Sequence, residues 1–230
     1  MYVEFSTKGD FMKKYMDVLK NCPLFVGVEE DRLLQMLTCL GAKVESFDKK
    51  YTVFSEGNPA KYIGIVLSGS VQIVQMDYYG NRSILGSAGV SEIFAEAFAC
   101  AQAEAIPVTV IASEPSQIMF IDCAHILYTC AKGCEFHKKL IFNLMRSLAV
   151  KNIGYHQKID ITSKRTTRDK LMTYLMYCAK REGGNSFSIP YDRQELADYL
   201  EVDRSGLSAE IGKLKKEGIL ENTKNHFVLL

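Results

Sequence analysis

Residues 192–220, DRQELADYLEVDRSGLSAEIGKLKKEGIL, decide how this chain is read. Behind Asp192, a residue type that caps helix N-termini, Leu196, Ala197 and Leu200 recur at helical spacing. A short turn, EVD, follows, and Asp203 caps a second segment in which Leu207, Ile211 and Leu214 keep the same period. Two short amphipathic helices joined so tightly bury their apolar stripes against one small core, with Val202 packing the turn. Downstream, ILEN and HFVLL alternate around a TKN turn; upstream lie a helix over Thr167–Arg181, a Gly-Gly-Asn turn and the strand FSIP. Helix, tight turn, helix and two-stranded wing is the order of a winged helix-turn-helix.

That packing leaves Arg204, Ser205, Ser208 and Ala209 on the outward face at the start of the second helix. There a recognition helix meets base edges in a major groove. Among these side chains Arg204 alone has the planar fork that pairs with guanine O6 and N7. Arg193 and Gln194, opening the preceding helix, suit phosphate contacts, which position without reading sequence. Lys213, Lys215 and Lys216 read equally well as electrostatic footprint or as a solvated helix face. DNA is the partner this segment predicts.

Working toward the N-terminus, the basic linker SKRTTRDK marks a domain boundary, with Thr166 and Asp169 forming a capping signature. Before it, residues 135–161 form the longest helical candidate, free of proline. Met145, Asn152 and Ile159 at one heptad position and Ile141, Leu148 and Tyr155 at the other give a coiled-coil stripe, which predicts a homodimer with Asn152 fixing the register. An amphipathic helix packed on its own domain is the alternative. From Val44 to about Asp122 the texture is short apolar runs (VESF, YTVF, YIGIVL, SVQIVQM, RSIL, VTVIA, QIMFI) separated by turn signals, the pattern of a β-sandwich or barrel. Ser91–Ala105, rich in Ala and Glu, reads as a helical insertion within it, and residues 11–40 as two short helices around CPLFVGV.

Of 230 residues 47% are hydrophobic and 24% charged, a globular composition with room for one or two cores. No apolar run is long enough to cross a bilayer, and the opening MYVEFSTKGDFMKKYM lacks a secretory core, so a cytoplasmic location without membrane contact is expected. The net charge of +1 divides as 12 Lys and Arg against 10 Asp and Glu in residues 164–230, and 16 against 17 in the remainder. That is a faint pointer toward nucleic acid. The seven cysteines form neither a dense disulfide framework nor a paired CxxC zinc site, and reduced thiols are expected.

With these motifs together, the chain resembles the cyclic-AMP receptor and fumarate-nitrate regulator (Crp/Fnr) family over nearly its whole length. The resemblance is carried by LKNCPLFVGVEEDRLLQML, EGNPAKYIGIVLSGSVQIV, the long helix, RTTRDKL and DRQELADYLEVDRSGLSAEIGKLKKEGIL. It implies an α+β chain: a double-stranded β-helix (jelly-roll, cyclic-nucleotide-binding-like) sensor over 1–134, a dimerisation helix and hinge over 135–163, and a winged helix-turn-helix over 164–230. It further implies a DNA-binding transcription regulator, without enzymatic activity, on a palindromic operator. Activation would require a contact with RNA polymerase, and no residue marks one.

The segment Phe94-Ala95-Glu96-Ala97-Phe98 stands where the family's phosphate-binding cassette lies. Glu96 matches, but Ala95 replaces a glycine, and Ile106-Pro107 occupies the place of an arginine followed by serine or threonine. A cyclic phosphate without a cationic partner costs several kcal/mol to bury, which argues against cyclic AMP. The expected pocket, lined by Phe94, Ala95, Glu96, Phe98, Ile106, Val74, Gly154 and Tyr155, favours an apolar or aromatic small effector; no cofactor or metal is predicted. An empty pocket is the alternative. In the helix-turn-helix, Arg204 and Ser205 match the RS-x-LS branch, while Ala209 replaces an expected arginine.

Other sensors remain open on the residues alone. Only Cys22 precedes Cys39, against the grouped thiolates of an iron–sulfur branch. Cys123, Cys130 and Cys134 read as buried inert thiols or as a redox or metal group, and His125, His137 and His156 are the candidate haem ligands. A cupin-like metalloenzyme, the distant alternative, needs clustered histidines, and residues 44–122 contain none; GxSxG, GxxxxGK and HExxH are also missing.

Overall fold

A computed structural model describes residues 14–128 and 135–230, so the expectations at Cys130 and Cys134 lie outside the described residues. Two compact units emerge: the chain through Gln75 with Gly86–Lys151, and Met76–Leu85 with Asn152–Leu230. Among the described residues no helix is long and apolar enough to cross a membrane.

The first unit opens with α1 (Met16–Lys20), a 3-10 turn (Pro23–Phe25) and α2 (Glu30–Cys39). Two four-stranded sheets follow. One orders β1 (Lys43–Phe47), β8 (Ser116–Asp122), β3 (Tyr62–Ser68) and β6 (Ile93–Phe94); the other orders β2 (Thr52–Phe54), β7 (Thr109–Ala112), β4 (Val71–Met76) and β5 (Arg82–Ala88). The run YIGIVL is continuous rather than alternating because β3 is covered on both faces. Ile63, Ile65 and Leu67 join Met119 and Ile121 in a core with Leu19, Leu33 and Leu37 of the N-terminal helices. Val66 points the other way, into a second core with Ile118, Phe120, Val71, Val110 and Phe94. Phe54, Phe94, Phe120, Phe47 and Tyr62 fill that second core as a chain of rings 5.5–6.4 Å apart. Gly64 makes the arrangement possible, since a Cβ there would lie 2.2 Å from the Phe94 ring.

The expected helix over Ser91–Ala105 is reduced to α3 (Glu96–Cys100). Ile93 and Phe94 pair instead with Ile65 and Gly64 as β6, and Ala95 turns the chain in a left-handed conformation, φ +62°. Sheet pairing overrides the helix propensity of the Ala- and Glu-rich run. After α4 (Cys123–Tyr128), the long helix α5 spans Glu135–Thr162. Its inward residues Leu140 and Leu144 complete the core around the N-terminal helices, and Asn143 donates to the carbonyls of Leu24 and Val26, both at 3.0 Å.

In the second unit α6 (Thr167–Glu182) starts at Thr166, whose hydroxyl accepts from the Asp169 amide at 3.0 Å, and stops at Gly183, φ +70°. Then come β9 (Ser186–Ser188), α7 (Arg193–Leu200), α8 (Arg204–Lys216), β10 (Leu220–Thr223) and β11 (His226–Leu229), the strands pairing in the order β10-β11-β9. Leu171, Leu175, Leu196, Leu200, Leu207, Ile211, Leu214 and Phe227 are buried. The architecture is a jelly-roll sensor domain, a long helix and a C-terminal winged helix-turn-helix.

Candidate functional site

Asp192 accepts from the Glu195 amide at 2.8 Å while Glu195 reaches back to the Asp192 amide at 2.9 Å, a reciprocal cap that fixes the start of α7. At the other end Glu201 adopts a left-handed conformation, φ +54°, which makes the tight turn. Asp203 then caps α8 by accepting from the Gly206 amide at 2.8 Å and from the Ser205 hydroxyl. These bonds hold the Asp203 carboxyl below the usual range, the Ser205 bond contributing most. Arg168 of α6 grips the far end of α8 with both terminal guanidinium nitrogens on Glu217, at 2.6 and 3.1 Å.

With both ends of α8 fixed and Leu207, Ile211 and Leu214 inward, Arg204, Ser205, Ser208 and Ala209 are exposed. Among the described residues Arg204 has no hydrogen-bond or ion-pair partner. Gln194, also exposed, donates to Asp198 at 2.8 Å. Arg193 lies 6.0 Å from the Phe227 ring of the wing, and burial pulls its guanidinium down from the usual range. Its Nη1 is buried without a hydrogen-bond partner among the described residues.

The turn is held from behind. Lys158 of α5 is buried; its ammonium donates to the Tyr199 carbonyl, sits 3.9 Å from the Tyr199 ring centre and 3.9 Å from Glu201. Tyr199 stacks on Tyr191 at 4.9 Å and meets Tyr174 at 5.1 Å, so the lysine closes an aromatic box. Burial lowers the Lys158 ammonium to about 8, with Lys170 adding to the shift and Glu201 opposing it. Lys170 itself donates to the Glu201 carbonyl at 3.2 Å. Two cations thus meet the carbonyl end of α7, where a helix leaves its acceptors unfilled.

In the sensor unit Glu96 is 2% exposed and ion-paired with Lys151 of α5 at 2.7 Å; the same ammonium donates to the Ile93 carbonyl at 2.6 Å. The carboxylate is therefore compensated within the chain. Phe94 and Ala95 are buried in the aromatic core with Phe98 packed on it, and Val74 and Ile106 are buried. Gly154 and Tyr155 are exposed on α5 in the second unit. Ala95 holds the left-handed geometry at a cost that glycine would not incur, so Ala95→Gly is expected to stabilise the sensor by about 1 kcal/mol, read as a higher urea midpoint.

Residues 44–132 match the family model of the cyclic nucleotide-binding domain, and residues 169–230 that of the Crp-like helix-turn-helix domain. The chain belongs to the Crp/Fnr family. It is a DNA-binding transcription regulator with a cyclic-nucleotide-binding-like sensor domain. Solved Crp/Fnr structures share the fold. The c-di-GMP-responsive global regulator CLP of Xanthomonas campestris is 17% identical over 86% of this chain and 98% of that one, with a TM-score of 0.70. FixK2 of Bradyrhizobium japonicum is 18% identical (82% and 92% covered, TM-score 0.62), and the catabolite activator protein of Thermus thermophilus 20% (90% and 93%, TM-score 0.52). Comparison with curated protein sequences gives no match.

Lys151 and Lys158 escape a sequence reading that assigns charged residues to solvent. The available signal is their position: Leu140, Leu144, Ser147, Lys151 and Lys158 follow one another along the inner stripe of α5. Ile141 and Leu148, expected in a dimer seam, pack partly buried against the sensor core. Of the haem candidates, His125 Nδ1 contacts the Leu40 carbonyl at 3.1 Å, His137 Nε2 contacts the His125 carbonyl at 3.4 Å, and His156 is exposed.

Proposed function

We propose that the chain is a homodimeric, operator-binding regulator whose β-roll answers to a small effector other than cyclic AMP. The observation that carries the DNA reading is Arg204: an exposed fork with no partner among the described residues, on the first turn of a helix capped by Asp203 and held by Arg168. Arg193, which opens the preceding helix, is the proposed phosphate contact. Gln194, Ser205 and Ser208 complete the proposed contact set.

The dimer reading rests on the outer stripe of α5. Phe142, Met145 and Ile159 are 60%, 58% and 61% exposed, and with Ala149, Asn152 and His156 they repeat at spacings of three and four. In this seam Met145, Asn152 and Ile159 hold one heptad position and Phe142, Ala149 and His156 the other, where the sequence reading put Ile141, Leu148 and Tyr155. A two-fold dimer places its recognition helices in successive major grooves about 34–36 Å apart, hence a palindromic operator. Against cyclic AMP stand Glu96, already paired with Lys151, and Ile106-Pro107 in place of a cationic phosphate partner.

Selection from a randomised duplex pool tests the reading: a two-fold-symmetric sequence is expected. Arg204→Ala should then lower affinity for the selected operator by about 1–3 kcal/mol while binding to unrelated duplex at the same salt is retained. Equal loss on both duplexes would make Arg204 a phosphate contact.

A further inference from the structure

The sulfurs of Cys100 and Cys123 lie 3.6 Å apart. Cys100 closes α3 and is half-buried, whereas Cys123 opens α4 and is buried. Cys39 is the exposed thiol among those described, so a reaction governed by exposure alone would choose it. The pair is chemically unequal. The Cys123 thiol beside it holds Cys100 below the ordinary thiol range, against burial and the nearby Glu96; the same bond, burial and Asp122 push Cys123 up.

We propose that Cys100 and Cys123 form a reversible dithiol–disulfide site in the sensor domain, with Cys100 the attacking sulfur and a hydroperoxide its oxidant. The Cys100 thiolate attacks the terminal peroxide oxygen, the O–O bond breaks, and the departing hydroxide takes a proton to leave as water, giving a sulfenic acid at Cys100. Cys123 sulfur then attacks the Cys100 sulfur, the S–O bond breaks, and the Cys123 proton leaves with the hydroxide as a second water. Two thiols and one hydrogen peroxide thus give one disulfide and two waters, and a dithiol reductant reverses the change. The sulfurs must close by roughly 1.5 Å to bond. Because α3 has five residues, movement at Cys100 is carried to Glu96 at its other end, the residue paired with Lys151. This regulatory consequence rests on the proposed function, while the thiol chemistry does not.

The test treats the reduced full-length protein with one equivalent of hydrogen peroxide, blocks remaining thiols with N-ethylmaleimide and maps the peptides by mass spectrometry. A Cys100–Cys123 linked pair is expected, two hydrogens lighter than its components, with Cys39 blocked and the link undone by dithiothreitol. Oxidation of Cys39 first, or both Cys100 and Cys123 found blocked, overturns the site. In Cys123→Ser, dimedone should label Cys100; a label on Cys123 in Cys100→Ser instead overturns the order of attack. Oxidised and reduced protein should differ at least threefold in affinity for the selected operator, and Cys123→Ser should not respond. Equal affinities overturn the regulatory role alone, and only failure of both forms to select a sequence counts against operator binding.

Discussion

Lys151→Met is expected to lower the stability of the sensor unit by about 3 kcal/mol, because it strands the ionised carboxylate of Glu96 in an apolar surround. The low end of the range for a broken buried pair applies, since the Lys151 side chain is 35% exposed and water can partly take its place. The loss belongs to the unpaired charge rather than to the missing amine. Lys151→Met combined with Glu96→Gln should therefore recover most of it, an amide being far easier to bury than a carboxylate. Urea unfolding of the wild type, Lys151→Met, Glu96→Gln and the double variant at pH 7 measures this, and a double variant no more stable than Lys151→Met would refute it.

Lys158→Met is expected to act in the opposite direction, raising stability at neutral pH by on the order of 2–3 kcal/mol. In the folded chain the ammonium titrates near 8, against an ordinary value of 10.5. Between these values the unfolded chain holds the extra proton, so wild-type stability rises with pH from about 8 and the rise is complete above 10.5. Methionine fills the aromatic box without a charge to desolvate and abolishes that slope. Thermal melts between pH 7 and pH 10.5 should show the wild type climbing toward a variant that stays flat. The stability carries a functional cost: without an ammonium on the Tyr199 carbonyl and beside Glu201, the turn between α7 and α8 loses an anchor, and operator affinity should fall about tenfold. Lys158→Arg keeps a permanent charge and should hold affinity constant through pH 8.

The helix-turn-helix could be read from the chain because its determinants are local. Asp192 and Asp203 act within three residues, and Leu196, Leu200, Leu207, Ile211 and Leu214 recur at the helical period. The β-roll was legible as texture, but α3 was not delimited: what shortens it is pairing of Ile93 and Phe94 with a strand formed far upstream. Heptad positions likewise say where apolar residues fall and not which stripe faces a partner. Ile141 and Leu148 satisfy the period and also pack partly buried against the sensor's own core. Lys151 with Glu96, Lys158 with Tyr199, and Cys100 with Cys123 are joined by folding across the chain, and no spacing rule reaches them.

The cap on α8 also sets the polarity of a hydroxyl. Ser205 commits its single proton to Asp203, so at a base edge it would arrive as an acceptor. In a major groove the complementary partners are the amino groups of cytosine and adenine, whereas guanine and thymine offer that hydroxyl only lone pairs or a methyl group. If Ser205 meets a base edge as proposed, the residue that opens α8 would thereby bias the base beside Arg204 toward those that donate.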